Sequence, residues 1–289
     1  MEFGTYFAYW EQEWRGDYFA YCRKVKNLGF DILEISAAGL LEMDIAEIDR
    51  MRKEAENLSL GLTAGIGFPA DHDPSSADSE TRRRGMDLMR RMVLRLEKAG
   101  ITKVGGVIFA SWPYDYQKPF DKPAVWARSV ESMRKAADLA KDHGVVLMME
   151  VVNRFEHFLV NSAEECVRFV KDIGKPNVKV MLDTFHMNIE EDHLGDAIRT
   201  AGPLLGHLHL GECNRKVPGQ GHMPWDDIAK GLRDINYQAA AVMEPFVRMG
   251  GTVGQEIKVW RDLSKGADTE RLDADIKEAL RFVRGKFNH

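Results

Sequence analysis

The sequence has few cysteines and no long apolar run, and these absences exclude two classes of protein. Cys22, Cys166 and Cys213 are its three cysteines, and they form no C-x-x-C pair. Separated thiols of this kind are typical of a reducing compartment rather than of a disulfide framework. No segment approaches the roughly 18 apolar residues of a membrane span, and the start, MEFGTYFAYWEQEW, does not resemble a secretion signal. We therefore expect a cytoplasmic protein without membrane contact.

Basic residues are fewer than acidic ones. The chain carries 40 Lys and Arg against 45 Asp and Glu, a formal net charge of −5 at pH 7. A duplex-binding protein needs a clustered excess of basic residues, so nucleic acid is not an expected partner. No G-x-G-x-x-G fingerprint follows the first predicted strand, and the usual dinucleotide-binding interpretation has no support.

The chain does contain a regular alternation of short apolar segments with longer segments of helical period. Eight such units with near-continuous apolar strands predict a parallel sheet, and eight strands close a barrel. We predict a single α/β domain over residues 1–289, a (β/α)8 TIM barrel with its active site at the C-terminal face of the strands. An open doubly wound sheet is the alternative that periodicity does not exclude. The predicted strands are 2–9, 30–36, 60–67, 103–109, 145–152, 178–182, 206–211 and 239–245.

Each of the last four predicted strands ends with a side chain that can bind a metal ion. These side chains are Glu150, Asp183, His209 and Glu244, and each interval between them is about one βα unit. In a barrel, the C-terminal ends of neighbouring strands converge on the mouth. Three carboxylates and one imidazole form a hard ligand set that suits Mn²⁺, Mg²⁺ or Co²⁺. Taken alone, a strand-end carboxylate is more often a helix cap, but four in register favour a metal site, so we expect Asp183 to bind metal rather than to cap a helix.

Further charged residues follow these strand ends. Glu156, His186 and Arg215 each lie in the loop that leaves one of the strands. A ligand with many hydroxyl groups needs such partners, because each buried hydroxyl must find a hydrogen bond. Ordinary loop charges are the alternative. Trp14 and Trp112 lie near predicted strand ends and could form an apolar wall for a ligand, although core packing explains them equally well.

The remaining histidines receive structural interpretations. His207 shares strand parity with His209, so we expect it to face the barrel interior one layer deeper as a core histidine. His143, His157 and His193 lie in helix or loop contexts and are expected to be exposed.

Several long motifs closely resemble the ketose 3-epimerases, the D-tagatose 3-epimerase and D-allulose (D-psicose) 3-epimerase family within the xylose-isomerase-like barrels. The resemblance covers essentially the whole chain, from FAYWEQEW to GGTVGQEIKVWRDLS. Local departures are Cys213, where a small residue such as Ser is expected, and Leu210, where a polar residue is commoner. The motifs that carry the resemblance are EVVNRFEH, VKVMLDTFHMNIEED, PGQGHMPW and VMEPF.

The resemblance implies specific roles for the residues already singled out. It implies one divalent metal ion, Mn²⁺ first with Co²⁺ or Mg²⁺ as alternatives, held by the four strand-end residues. It also implies that Glu156, His186 and Arg215 contact a ketose sugar near O1 to O3. A homodimer or homotetramer is implied by the same resemblance.

A reaction at carbon 3 of a 2-ketose explains why two of the ligands are glutamates on separate strands. The reaction removes a proton beside the C2 carbonyl and returns one to the opposite face through a cis-enediolate, which a divalent metal can stabilise. Glu150 and Glu244 flank the other two ligands, so we predict that they exchange the roles of base and acid.

Three other functions use comparable features. An aldose–ketose isomerase on the same barrel would give an aldose as its product. A multi-zinc nuclease of the endonuclease IV type would need more ligands and a basic surface, which the acidic balance opposes. A sugar-binding module without catalysis would have no need of both flanking glutamates. Fold alone does not decide among them.

Overall fold

Eight parallel strands close into a barrel in the computed structural model, which describes residues 1–117 and 120–287. Each strand pairs with the next along the chain, and β8 pairs with β1 to complete the ring. This confirms the predicted TIM barrel and excludes the open sheet. The strands are β1 (Glu2–Tyr6), β2 (Ile32–Ser36), β3 (Gly61–Gly65), β4 (Lys103–Gly105), β5 (Val146–Glu150), β6 (Val178–Asp183), β7 (Leu205–Leu210) and β8 (Ala240–Met243).

Helices cover the outside of the barrel, and within the described residues there are eleven α-helices. None of these combines the length and apolar content that a bilayer crossing requires. They are α1 (Tyr18–Leu28), α2 (Ala37–Glu42), α3 (Ile45–Asn57), α4 (Ser79–Lys98), α5 (Lys122–Asp142), α6 (Ala163–Ile173), α7 (Thr184–Glu190), α8 (Leu194–Ala201), α9 (Trp225–Asp234), α10 (Gly251–Glu256) and α11 (Thr269–Phe287).

Local sequence explains where the helices begin and end. Asp17, Asp44 and Asp78 each accept a hydrogen bond from a backbone N–H in the first turn of the helix that follows. Gly29 and Gly174 end α1 and α6 in the left-handed conformation that glycine adopts without steric cost. These signals fix the short connections that bring each chain segment back to the next strand.

Side-chain parity divides the barrel interior into an apolar base and a polar mouth. Ile32, Ala240 and Val242 form a separate buried apolar cluster at the base. On β2, Glu34 follows Ile32 at the same parity and pairs in register with Thr63. The interior therefore changes from aliphatic to ionisable side chains along the direction of the strands, and charge concentrates at their C-terminal ends.

The fourth strand is much shorter than predicted. The sequence indicated a strand over 103–109, but β4 ends at Gly105 because Gly106 has a φ of 111°. The carbonyl of Gly106 accepts a hydrogen bond from the backbone N–H of Glu150. A Cβ atom at Gly106 would lie 2.1 Å from the Ile66 carbonyl oxygen, so the turn requires glycine on both conformational and steric grounds.

We expect Gly106→Ala to lower the free energy of unfolding by roughly 3 kcal/mol or more, because positive φ and overpacking each cost about 1–3 kcal/mol. Gly144→Ala is the matched control, since Gly144 also has positive φ (68°) but a Cβ there meets no atom within 4 Å. The control should lose only about 1–2 kcal/mol, the cost of the left-handed conformation alone. Denaturant unfolding of both variants measures the difference, and equal losses would contradict the steric argument.

Candidate active site

Four ionisable side chains converge at the mouth of the barrel. Glu150 ends β5, Asp183 ends β6, His209 lies near the end of β7, and Glu244 follows β8 directly. One ligand atom from each lies within 4.8 Å of all the others. Asp183 and His209 are paired in register on neighbouring strands, so the parallel sheet itself brings them together. The structure therefore assembles the four residues that the sequence singled out.

The atoms facing one another in this cluster fit a divalent cation. His209 Nδ1 lies 3.7 Å from Glu150 Oε1 and 3.4 Å from Glu244 Oε1. The same nitrogen is buried and has no hydrogen-bond partner among the described residues. A buried nitrogen left without a partner and surrounded by carboxylate oxygens is a donor set that hard divalent ions accept.

The pKa shifts within the cluster also fit a site for a cation. Burial raises the pKa of Glu150 well above its usual value, and the neighbouring Glu244 and Asp183 carboxylates raise it further. Burial likewise raises the pKa of Asp183. Burial opposes the charge of His209, yet Glu244 and Glu34 hold its pKa well above the usual value. Without an ion, this site therefore favours protonated side chains, and a cation would relieve the same repulsion.

Asp183 serves two purposes, which corrects the expectation that it would not cap a helix. Its Oδ1 accepts a 2.7 Å hydrogen bond from the backbone N–H of Phe185 at the start of α7. Its Oδ2 faces the cluster, 3.4 Å from Arg215 Nη1. The cap uses one oxygen and holds the carboxylate in place, which leaves the other oxygen free for the cluster.

Glu156, His186 and Arg215 form the next layer of the site. Arg215 Nη2 lies 3.3 Å from Glu156 Oε1, and His186 Nε2 lies 3.7 Å from Asp183 Oδ2. Burial alone would raise the pKa of Glu156, but His186 and Arg215 hold it below its usual range. Asn153 donates two hydrogen bonds to His186 Nδ1, so the proton of that ring sits on Nε2.

Aromatic rings form one wall of the cavity above the cluster. The cavity measures about 530 Å³, and its lining includes Trp14, Trp112 and Phe246. Trp112 Nε1 donates a 2.8 Å hydrogen bond to Glu156 Oε2, so this indole is tied to the polar layer. Trp14 packs edge-on against Trp112 and Phe246. Both tryptophans thus pack against their neighbours and also face the cavity, and their role in ligand binding stays a prediction.

Sequence reasoning missed Glu34. This residue is 1% exposed, and its Oε1 accepts a 2.5 Å hydrogen bond from His209 Nε2. Burial would raise its pKa, but the imidazoles of His209 and His207 hold the pKa well below its usual range. A glutamate at interior parity within an apolar strand was the available signal. His207 itself is buried beside Glu34, as its strand parity predicted.

The prediction that His157 is exposed was wrong. Its side chain is 1% exposed, packed against Tyr114 and Phe158. The turn that follows β5 folds this ring inward, and its Nδ1 accepts a hydrogen bond from the Leu159 N–H. His193 is exposed and His143 is half-buried.

With the geometry established, comparison with known proteins identifies the family. A family model for the xylose isomerase-like TIM barrel matches residues 22–282. The chain belongs to this family. Within the xylose isomerase-like barrels, it is 52% identical over 284 residues to D-psicose 3-epimerase from Agrobacterium fabrum, with 98% of each chain covered.

Two further relatives of this xylose isomerase-like barrel extend the comparison. A crystal structure of D-psicose 3-epimerase in the presence of D-fructose superposes with a TM-score of 0.98 at 51% identity, over 100% of both chains. L-ribulose 3-epimerase from Mesorhizobium japonicum is 34% identical, over 82% of this chain and 79% of that protein. The resemblance found in the motifs is therefore confirmed across the chain.

The two local departures in the motifs occupy different environments in the barrel. Leu210 is fully buried and pairs with Met243, at the parity opposite to His209, so its side chain points away from the barrel interior. Cys213 is half-buried, with its Sγ 3.2 Å from His222 Nδ1. Leu210 therefore does not face the ligand atoms of the cluster.

We expect Mn²⁺ to bind the metal-free protein and to raise its unfolding temperature. An ion at about a hundredfold its dissociation constant stabilises the folded state by about 2.7 kcal/mol. Because Glu150 and Asp183 must release protons to bind an ion, affinity should fall as the pH is lowered through their raised pKa values. Titration calorimetry on chelator-treated protein at several pH values measures this dependence.

Asp183→Asn tests the cluster directly, because it keeps the capping oxygen but removes the charge. It should weaken Mn²⁺ binding at least about tenfold. Asp192→Asn, in the exposed loop between α7 and α8, is the control and should bind as the unmodified protein does. Unchanged affinity in Asp183→Asn would show that the ion binds elsewhere.

His157 should make the protein sensitive to acid. Burial lowers its pKa from 6.5 to about 3, so between these values the unfolded chain binds a proton that the folded state does not. Stability is therefore lost as the pH falls below 6.5, by about 2 kcal/mol between roughly pH 7.5 and pH 5. His157→Asn keeps an acceptor for the Leu159 N–H and should reduce this loss, as measured by denaturant unfolding. His193→Asn is the exposed control, and an equal reduction there would contradict the assignment.

Proposed function

We propose that the protein is a metal-dependent epimerase that inverts carbon 3 of a free 2-ketose, such as D-fructose with D-allulose or D-tagatose with D-sorbose. The observation that carries this proposal is the placement of Glu150 and Glu244 at the C-terminal ends of separate strands, both facing His209 Nδ1 within one cavity. The names of the relatives, two of them D-psicose 3-epimerases, support the same reaction class.

The two glutamates supply the proton transfers. One carboxylate removes the proton from C3, and the electron pair of the broken C–H bond forms a C2–C3 double bond while the carbonyl electrons move to O2. The resulting enediolate is planar at C3. The second glutamate, which starts the cycle as a carboxylic acid, then donates its proton to the opposite face of C3, O2 re-forms the carbonyl, and the configuration is inverted. The first glutamate keeps the proton taken from C3, so the two residues have exchanged the roles of base and acid. Each positioned proton transfer contributes a factor of about 10²–10⁴ in rate.

The four-residue cluster at the mouth of the barrel would hold the ion that this reaction needs. Glu150, Asp183, His209 and Glu244 would hold a divalent cation, which supplies Lewis-acid polarisation of the ketose carbonyl. We propose Mn²⁺ as this ion, with Co²⁺ or Mg²⁺ as alternatives, because oxygen ligands predominate and no thiolate is present in the cluster.

The surrounding residues bind and orient the sugar. Arg215, Glu156 and His186 supply hydrogen-bond donors and acceptors beside the cluster, and each sugar hydroxyl that is buried there needs such a partner. Trp112 and Trp14 cover the apolar face of the sugar and exclude water. We further propose that residues 1–289 form one domain and that the protein is a cytoplasmic homodimer or homotetramer, which size determination in solution would test.

The first experiment follows D-fructose and D-allulose in deuterated water by NMR, with metal-stripped and with Mn²⁺-restored protein. We expect Mn²⁺-dependent interconversion with deuterium at C3. Deuterium at C1 with an aldose product would replace the proposal by aldose–ketose isomerisation. Binding without turnover of any ketose would favour a sugar-binding module.

Glu150→Gln and Glu244→Gln test the pair of bases. Each keeps the shape of the side chain but cannot accept a proton, so exchange at C3 should fall by about 10² or more. Ketose binding, measured by calorimetry with Mn²⁺ present, should be affected less. Glu164→Gln, on the exposed face of α6, is the control. Near-native turnover in either active-site variant would remove that glutamate from the mechanism.

A further inference from the structure

We propose that Glu34 is a positioning residue that holds His209 in the one orientation that can bind the metal, an inference that rests on the proposed function. Glu34 lies on β2, three strands around the barrel from β7. It is separated from His209 by 175 positions in the chain. It does not belong to the four-residue cluster at the mouth.

The two ring nitrogens of His209 have separate partners. Nε2 donates to Glu34 Oε1 at 2.5 Å, while Nδ1 faces Glu150 and Glu244. A neutral imidazole has one N–H and one lone pair. Because the proton is fixed on Nε2 by a carboxylate, the lone pair is directed from Nδ1 into the cluster, which is the orientation that a metal-binding histidine requires.

Glu34 is itself held at its other oxygen. Thr63 Oγ1 donates a 2.7 Å hydrogen bond to Glu34 Oε2, and His207 Nε2 lies 2.9 Å from the same oxygen. All of these side chains are buried. Both carboxylate oxygens therefore have partners, and the carboxylate cannot rotate without breaking a buried contact.

Only a full-length carboxylate meets these demands. A glutamine at this position has one acceptor oxygen, so its amide NH₂ must face either His209 or the pair formed by Thr63 and His207. An aspartate keeps both oxygens and the charge but withdraws them by one carbon–carbon bond, about 1.5 Å. The glutamine variant removes one acceptor oxygen, and the aspartate variant moves both oxygens out of contact with His209. The two variants therefore test separate parts of the inference.

The test is the Mn²⁺ affinity of metal-stripped Glu34→Gln and Glu34→Asp, measured by titration calorimetry without substrate. We expect each variant to bind Mn²⁺ about 10- to 100-fold more weakly than the unmodified protein. At saturating Mn²⁺, kcat should recover to near the unmodified value, because Glu34 touches neither the sugar nor the reacting atoms. Glu164→Gln again serves as the exposed control.

Thermal unfolding of the metal-free proteins separates positioning from a purely structural role. A lowered unfolding temperature with unchanged Mn²⁺ affinity in the folded variants would overturn the inference, as would a loss of kcat that saturating Mn²⁺ does not restore. If Glu34→Gln does not fold, Glu34→Asp decides by the same criteria. Failure of the unmodified protein to bind Mn²⁺ would instead overturn the proposed function and this inference with it.

Discussion

Glu150, Asp183 and Glu244 lie in one cluster at the mouth of the barrel, largely withdrawn from water. The electrostatic repulsion among these three carboxylates governs the rest of the site. Desolvating a carboxylate costs several kcal/mol unless opposite charge compensates it. Arg215 lies 3.4 Å from both Asp183 and Glu244, but one guanidinium does not neutralise three carboxylates. A divalent cation bound by the cluster would supply the missing charge, and in the proposed reaction it would also stabilise the negative charge that develops on the ketose oxygen.

Closure of the barrel makes such a cluster possible. Residues separated by a whole βα unit become neighbours when parallel strands pair in register, as Asp183 and His209 do. The same register aligns the deeper residues, so Glu34 on β2 reaches across the interior to His209 on β7. Ionisable groups are thus stacked in two layers, and the lower layer orients the upper one.

The four-residue cluster could be predicted from the sequence because its members recur about once per βα unit at the ends of the last four strands. Glu34 was missed although its place within the apolar strand ILEIS was a signal, because its partner His209 lies 175 positions away and the sequence does not show that pairing. The early end of β4 was missed for a local reason, since it depends on the positive φ of Gly106. His157 was misjudged because burial of a loop ring depends on tertiary packing, which hydrophobic periodicity does not report.

Arg215 lies in a loop whose backbone is held by a dense set of buried hydrogen bonds. It adopts a φ of 63°, which is strained for a residue other than glycine. The buried carboxylate of Glu212 stabilises this loop by accepting hydrogen bonds from the N–H groups of Gly219 and Met223 and from the indole of Trp225. Because these contacts hold the loop backbone, we expect the guanidinium beside the cluster to lose little conformational freedom when a sugar binds. A buried carboxylate in the loop after β7 thus supports the backbone that carries Arg215, whereas Glu34 contacts the His209 ring directly from β2.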